Sequence, residues 1–121
     1  MSPRVHDVRL ARVYDPPGRD DGFRVLVDRL WPRGVRREDA RLDAWLKEVA
    51  PSPGLRTWWD HDPERMAEFA ARYRAELADN PAFDELAALA VEHRTLTLLY
   101  GARDPRVNHA VVLRDALAER G

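Results

Sequence analysis

With 121 residues the chain can bury one core of a few helices against a small sheet and no second one, so a single domain over residues 1–121 is expected. Its 45% hydrophobic and 34% charged content with a net charge of -1 sets disorder aside, and 20 Lys+Arg against 21 Asp+Glu leaves no global field for nucleic acid or an anionic membrane. The absence of cysteine excludes disulfides, thiolate zinc sites and cysteine nucleophiles together; with no signal-peptide core and no bilayer-length apolar run, a cytoplasmic protein without a membrane partner is expected.

Val5 to Tyr14 alternates roughly between apolar and polar residues and gives way to "DPPGRDDG", turn formers that cannot continue a strand. A second strand follows at Phe23 to Leu30, ended by Pro32. The connection is shorter than the dozen or more residues of a usual parallel crossover, which predicts that the two strands are antiparallel neighbours. From Leu42 the spacing of Leu42, Trp45, Leu46 and Val49 predicts a helix closed by Pro51. Four further starts repeat one device, a capping side chain before proline: Ser52-Pro53, Asp62-Pro63, Asn80-Pro81 and Asp104-Pro105.

The helix after Asp62 should bury Met66, Phe69, Ala70, Tyr73 and Leu77, and the helix after Asn80 Phe83, Leu86, Ala87 and Ala90. "TLTLLY", Thr95 to Tyr100, reads as the strongest strand, and a last helix over Pro105 to Arg120 turns Ala110, Leu113 and Leu117 inward. The order predicts an α/β domain of two or three layers, its short mixed, largely parallel sheet flanked by about five helices.

Parallel pairing of Phe23–Leu30 with Thr95–Tyr100 would bring "DRLWPRG" and "YGARDPRVNHA" to one edge, where open α/β sheets bind ligands. Arg29, Arg33 and Arg103 are then candidate ligands for a phosphate, nucleotide or carboxylate, with the start of the last helix, Asp104 and Trp31 beside them. His109 and Asp28 are candidates for proton transfer in a hydrolase or transferase, and Tyr100 and Asn108 for orienting the substrate. Each has a plainer role: Asp104 as a helix cap, Tyr100 as a half-buried aromatic, His109 as a packed side chain, and the arginines as partners of internal acids.

The serine-hydrolase elbow G-x-S-x-G, the phosphate loop and the dinucleotide fingerprint G-x-G-x-x-G are all absent, and no cofactor is expected. No metal is expected: "WWDHDP" reads as a loop and cap, and Asp28, Asp104 and His109 are the one set that could hold an ion. Arg33, Arg36 and Arg37 beside Trp31 form the most basic patch, but Glu38 and Asp39 follow at once, so nucleic acid is a minor reading. An aromatic face around Trp31 and Trp58 gives the non-catalytic alternative, a protein-interaction module such as a homodimer.

"GFRVLVDRLWPRG", "LDAWLKEVAPS", "LRTWWDHDPERMAEFAARYRAEL" and "LTLLYGARDPRVNHAVVL" together resemble the YeaO-like branch of the bacterial DUF488 family, over Val5 to Leu117. The resemblance implies a compact cytoplasmic α/β domain with no established reaction. It marks Asp28, Arg29, Trp31, Pro32, Arg33 and Gly34; Trp45, Lys47, Pro51 and Ser52; His61, Phe69 and Tyr73; and Tyr100, Asp104, Asn108 and His109. Longer relatives resemble the last helix but carry Cys-His-Arg where this chain reads Asn108-His109-Ala110, which removes any mechanism that needs that cysteine or arginine.

Overall fold

The computed structural model describes residues 7–120. Four strands, β1 (Asp7–Arg12), β2 (Phe23–Leu26), β3 (Ala44–Trp45) and β4 (Thr95–Tyr100), form one sheet in the order β1-β4-β2-β3. Five helices accompany them: α1 (Arg37–Ala40), α2 (Pro53–Trp59), α3 (Met66–Ala78), α4 (Pro81–Glu92) and α5 (His109–Arg120). The α/β class is as expected, and β2 and β4 run parallel, Val25 opposite Leu98 and Leu26 opposite Leu99. The start proposed for the first strand at Val5 lies outside the described residues.

The expected antiparallel neighbours are not formed. β1 and β2 each pair with β4, and all described pairings are parallel. The segment between them is a crossover without a helix: Val13 N–H donates to Tyr100 O, Arg9 donates to Asp20 O, and Thr97 Oγ1 donates to Asp21 O. It therefore runs the length of β4 in reverse. The segment turns near each end, where Asp15 N–H donates to Arg12 O and Asp21 N–H to Gly18 O, and the stretch between still spans a strand of six, so a crossover that carries no helix can be shorter than the usual length. Gly22 closes it with φ +66, where a Cβ would lie 2.2 Å from Thr95 O; no other residue fits there.

The helix predicted from Leu42 is also replaced. Arg41 adopts φ 49 and ends α1, after which Asp43 N–H donates to Arg24 O and Leu46 N–H to Leu26 O, making Ala44–Trp45 an edge strand followed by a 3-10 turn over Lys47–Val49. A two-residue strand leading into a tight turn buries the same spacing of apolar residues as a helix would, and the free edge of β2 supplies backbone partners that decide between them. β2 is shorter than expected because Val27 makes the last ladder bond, to Leu99 O, before the chain turns away.

The capping prolines act as read at two helix starts, where Ser52 accepts from Leu55 N–H and Asn80 from Ala82 N–H; at a third, Asp62 accepts from Glu64 N–H but caps a 3-10 turn over Pro63–Arg65, and α3 begins only at Met66. At the fourth, Asp104 Oδ1 accepts from Arg106 and Val107 N–H and closes a turn, but α5 begins only at His109, with Asn108 Oδ1 accepting from Val111 N–H as its cap. Helices α2 to α5 cover one face of the sheet, where Val25, Val27, Leu96, Leu98 and Tyr100 meet Trp59, Phe69, Tyr73, Leu86 and Leu113. The other face carries a thinner layer of Val13, Leu26, Ala40 and Leu99 with Trp31, Val35 and Trp45.

Candidate functional site

Because β2 and β4 are parallel neighbours, their exits lie side by side and are tied directly: Asp28 Oδ2 accepts from Gly101 N–H at 2.8 Å. A pocket of about 280 Å³ opens there, lined by Asp28, Arg29, Arg56, Trp59, His61 and His109 with Leu30, Ala50, Pro51, Gly101 and Ala102. Two of its lining residues, Trp59 and His109, are joined by a run of packed aromatic rings. Trp59 stacks on Phe69 at 3.8 Å, Phe69 on Tyr73 at 5.5 Å, and Tyr73 meets His109 edge-on at 6.2 Å, while His61 lies over the far side of Trp59 at 4.6 Å. The two histidines are thus fixed at opposite ends of one rigid element.

His109 Nε2 lies 2.9 Å from Val27 O and 3.5 Å from Asp28 Oδ1. A carbonyl oxygen only accepts, so the neutral ring carries its proton on Nε2 and donates it to the backbone. Burial lowers the His109 pKa below its ordinary value; the Asp28 carboxylate and the Val27 bond push the other way, and Arg56 and His61 add to the lowering. Tyr73 is pushed well above its ordinary value, first by burial and then by Glu76, and remains a neutral donor to Val49 O at 2.5 Å.

Arg29 is held by long contacts to two carbonyls of the pocket wall, Ala50 O at 3.2 Å and Pro51 O at 3.3 Å, and lies 3.6 Å from Glu48, an acid 70% exposed to solvent. Its Nε is a buried side-chain nitrogen with no hydrogen-bond partner among the described residues. Arg56, on the second turn of α2, enters no ion pair among the described residues. No three His, Cys, Asp or Glu side chains gather in a metal-holding arrangement among the described residues, and no described helix is long and apolar enough to cross a membrane.

Of the residues singled out in the sequence, Asp28, Arg29 and His109 line this pocket. Arg103 and Asp104 line an adjoining cavity of about 350 Å³ that shares His61, Gly101 and Ala102 with it. Arg33 lines neither; it is exposed, and its carbonyl accepts from Tyr14 Oη. Trp31 is engaged elsewhere, its indole donating to Val35 O, its ring under the Arg37 guanidinium and edge-on to Trp45. Tyr100 is buried in the core; burial raises its pKa, with Arg12 opposing and Asp15 and Asp104 adding. Asn108 is fully buried and used at both ends, Nδ2 donating to Asp104 O and Oδ1 capping α5.

Arg56 and Trp59 are missing from the sequence-derived set, and His61 enters it only through the family resemblance. One clue to Arg56 was available: it stands three residues before Trp59 on a capped helix, so both occupy one face. His61 gives no such signal, because its position depends on left-handed backbone at Asp60 (φ 49) and at His61 itself (φ 52).

Residues 7–121 match the protein family described as "Inactive DUF488-N3 subclade". Among curated proteins, uncharacterized proteins of Mycobacterium tuberculosis and Mycobacterium bovis are each 48% identical over 113 residues, covering 93% of this chain and 95% of theirs. The uncharacterized protein YeaO of Escherichia coli is 43% identical over 111 residues, covering 92% of this chain and 96% of its own. No solved structure matches the chain.

Proposed function

Since the chain belongs to the DUF488-N3i family, described as an inactive subclade, we propose that it binds a small anion, a phosphate or carboxylate group, without turning it over. The observation that carries this reading is the pair of guanidinium groups on one pocket. Arg29 has a buried, unpartnered Nε, and Arg56 is unpaired among the described residues, while the pocket's carboxylate, Asp28, is already engaged by Gly101 N–H. Arginine forks suit such groups, and an anion between them would relieve their repulsion. The absence of cysteine fits a cytoplasmic setting.

Three features favour binding over catalysis. The Nε2 proton of His109 is committed to a backbone carbonyl, which removes that nitrogen as a base. Asn108, where longer relatives resemble this chain but carry cysteine, is a buried helix cap. Tyr100 lies in the core rather than in the pocket wall.

Thermal unfolding in rising inorganic phosphate at fixed ionic strength tests the reading. The midpoint is expected to climb with phosphate in the wild type and to stay put in Arg56→Ala, since a ligand bound only to the folded chain raises its stability by mass action. A wild-type midpoint that does not move at ~50 mM phosphate, far past the ~1 mM dissociation constant of a weak site, removes the reading. Hydrolysis of a simple phosphate monoester that disappears in His109→Ala would replace it with a catalytic one.

A further inference from the structure

We infer that the ligand is two-headed, two linked phosphate-type groups seated across the Arg29–Arg56 pocket and the adjoining Arg103 cavity. This rests on the anion-binding reading above and extends it from a single group to a ligand class. The cavities adjoin, with His61, Gly101 and Ala102 lining both. Small-molecule sites usually occupy ~300–1,000 Å³. At about 280 Å³ one cavity falls just short of that range and at about 350 Å³ the other barely enters it, while the two together stand well inside it.

The cations are divided between the two cavities. Arg29 and Arg56 line one cavity and Arg103 the other, and neither Arg56 nor Arg103 has an ion-pair partner among the described residues. Each cavity also holds one carboxylate, and each carboxylate is tied to backbone. Asp28 Oδ2 accepts from Gly101 N–H, and Asp104 Oδ1 accepts from Arg106 and Val107 N–H, so the acids brace the walls while the guanidinium groups remain available.

The divide between the cavities is itself built at a cost. Asp60 and His61 are consecutive non-glycine residues in left-handed backbone, a conformation that persists only where surrounding structure enforces it. Here it carries His61 from the end of α2 onto Trp59, with its ring on the wall common to both cavities. A neutral imidazole has one N–H to donate, which suits a bridging oxygen between two phosphate groups.

Calorimetric titration of the full chain with inorganic phosphate and with pyrophosphate, at matched ionic strength, tests this. Pyrophosphate is expected to bind at least ~10-fold tighter than phosphate, as one added charge-assisted contact implies. Arg103→Ala should bring pyrophosphate down to the phosphate level while leaving phosphate within about two-fold. Arg106→Ala, which removes the same charge from the same loop but lines neither cavity, should leave the ratio intact. If phosphate binds and pyrophosphate is no tighter, or if Arg103→Ala leaves the ratio unchanged, the two-headed ligand is wrong and the single-anion site stands. If neither ion binds the wild type, both readings fall.

Discussion

Arg24 and Arg29 leave the same short stretch of chain and meet opposite surroundings. Arg24 points to the thin face of the sheet, 6% exposed, where it pairs with Asp21 of the crossover and donates to Ala40 O and Arg41 O. Arg29 emerges past the end of β2, rests on two long carbonyl contacts and a solvent-exposed acid, and keeps a buried Nε without a partner. A guanidinium enclosed with its counter-charge belongs to the architecture; one posted at a strand exit with its donors half used is free for a ligand.

Removing the acid beside Arg24 should have the largest effect. Asp21→Ala leaves that cation buried and uncompensated, a loss of about 3–5 kcal/mol, with the remaining carbonyl contacts holding it near the lower figure. Urea unfolding measures it. A loss under ~1 kcal/mol would mean that Arg24 swings out to water, and the contrast with Arg29 would collapse.

The next effect concerns the pocket's own histidine. Burial depresses the folded pKa of His109 below the ordinary 6.5, so above that value the ring is neutral in both states and stability is level. As pH falls through the unfolded value, the unfolded chain takes up the proton first, and stability drops until the lower folded pKa is passed. Asp28 opposes this and Arg56 and His61 reinforce it. His109→Gln should remove that part of the slope, read from urea midpoints between pH 8 and pH 5 against wild type; an unchanged slope would show that His109 is not the titrating group.

What the sequence made legible follows from how local each signal is. Capping side chains before proline located the starts of α2 and α4 and of the 3-10 turn that leads into α3, because cap and turn are neighbours in the chain. Asp28, Arg29 and His109 were found together because strand order at a parallel edge brings successive exits into contact. Leu42–Val49 misled, since an apolar spacing cannot reveal that β2 has a free edge awaiting Asp43 and Leu46. The crossover misled for a similar reason: only Gly22, pressed against Thr95 O, hints that the chain returns across β4 instead of turning beside β1. Trp31 and Arg33 share the stretch that carries Arg29, but direction after a proline-containing turn is set by Trp45 and Val35, which the linear pattern does not relate to them.

Arg29→Ala should have the smallest effect on stability, and that smallness sharpens the contrast. Glu48 is mostly solvated, so its pairing with Arg29 contributes at most about 1 kcal/mol, and the carbonyls of Ala50 and Pro51 line an open pocket where water can replace the guanidinium. The variant is therefore expected to unfold within about 1 kcal/mol of wild type in urea, against the several lost in Asp21→Ala, while its thermal midpoint no longer responds to phosphate. A loss as large as that of Asp21→Ala would make Arg29 a second structural arginine and leave the pocket without its anchor.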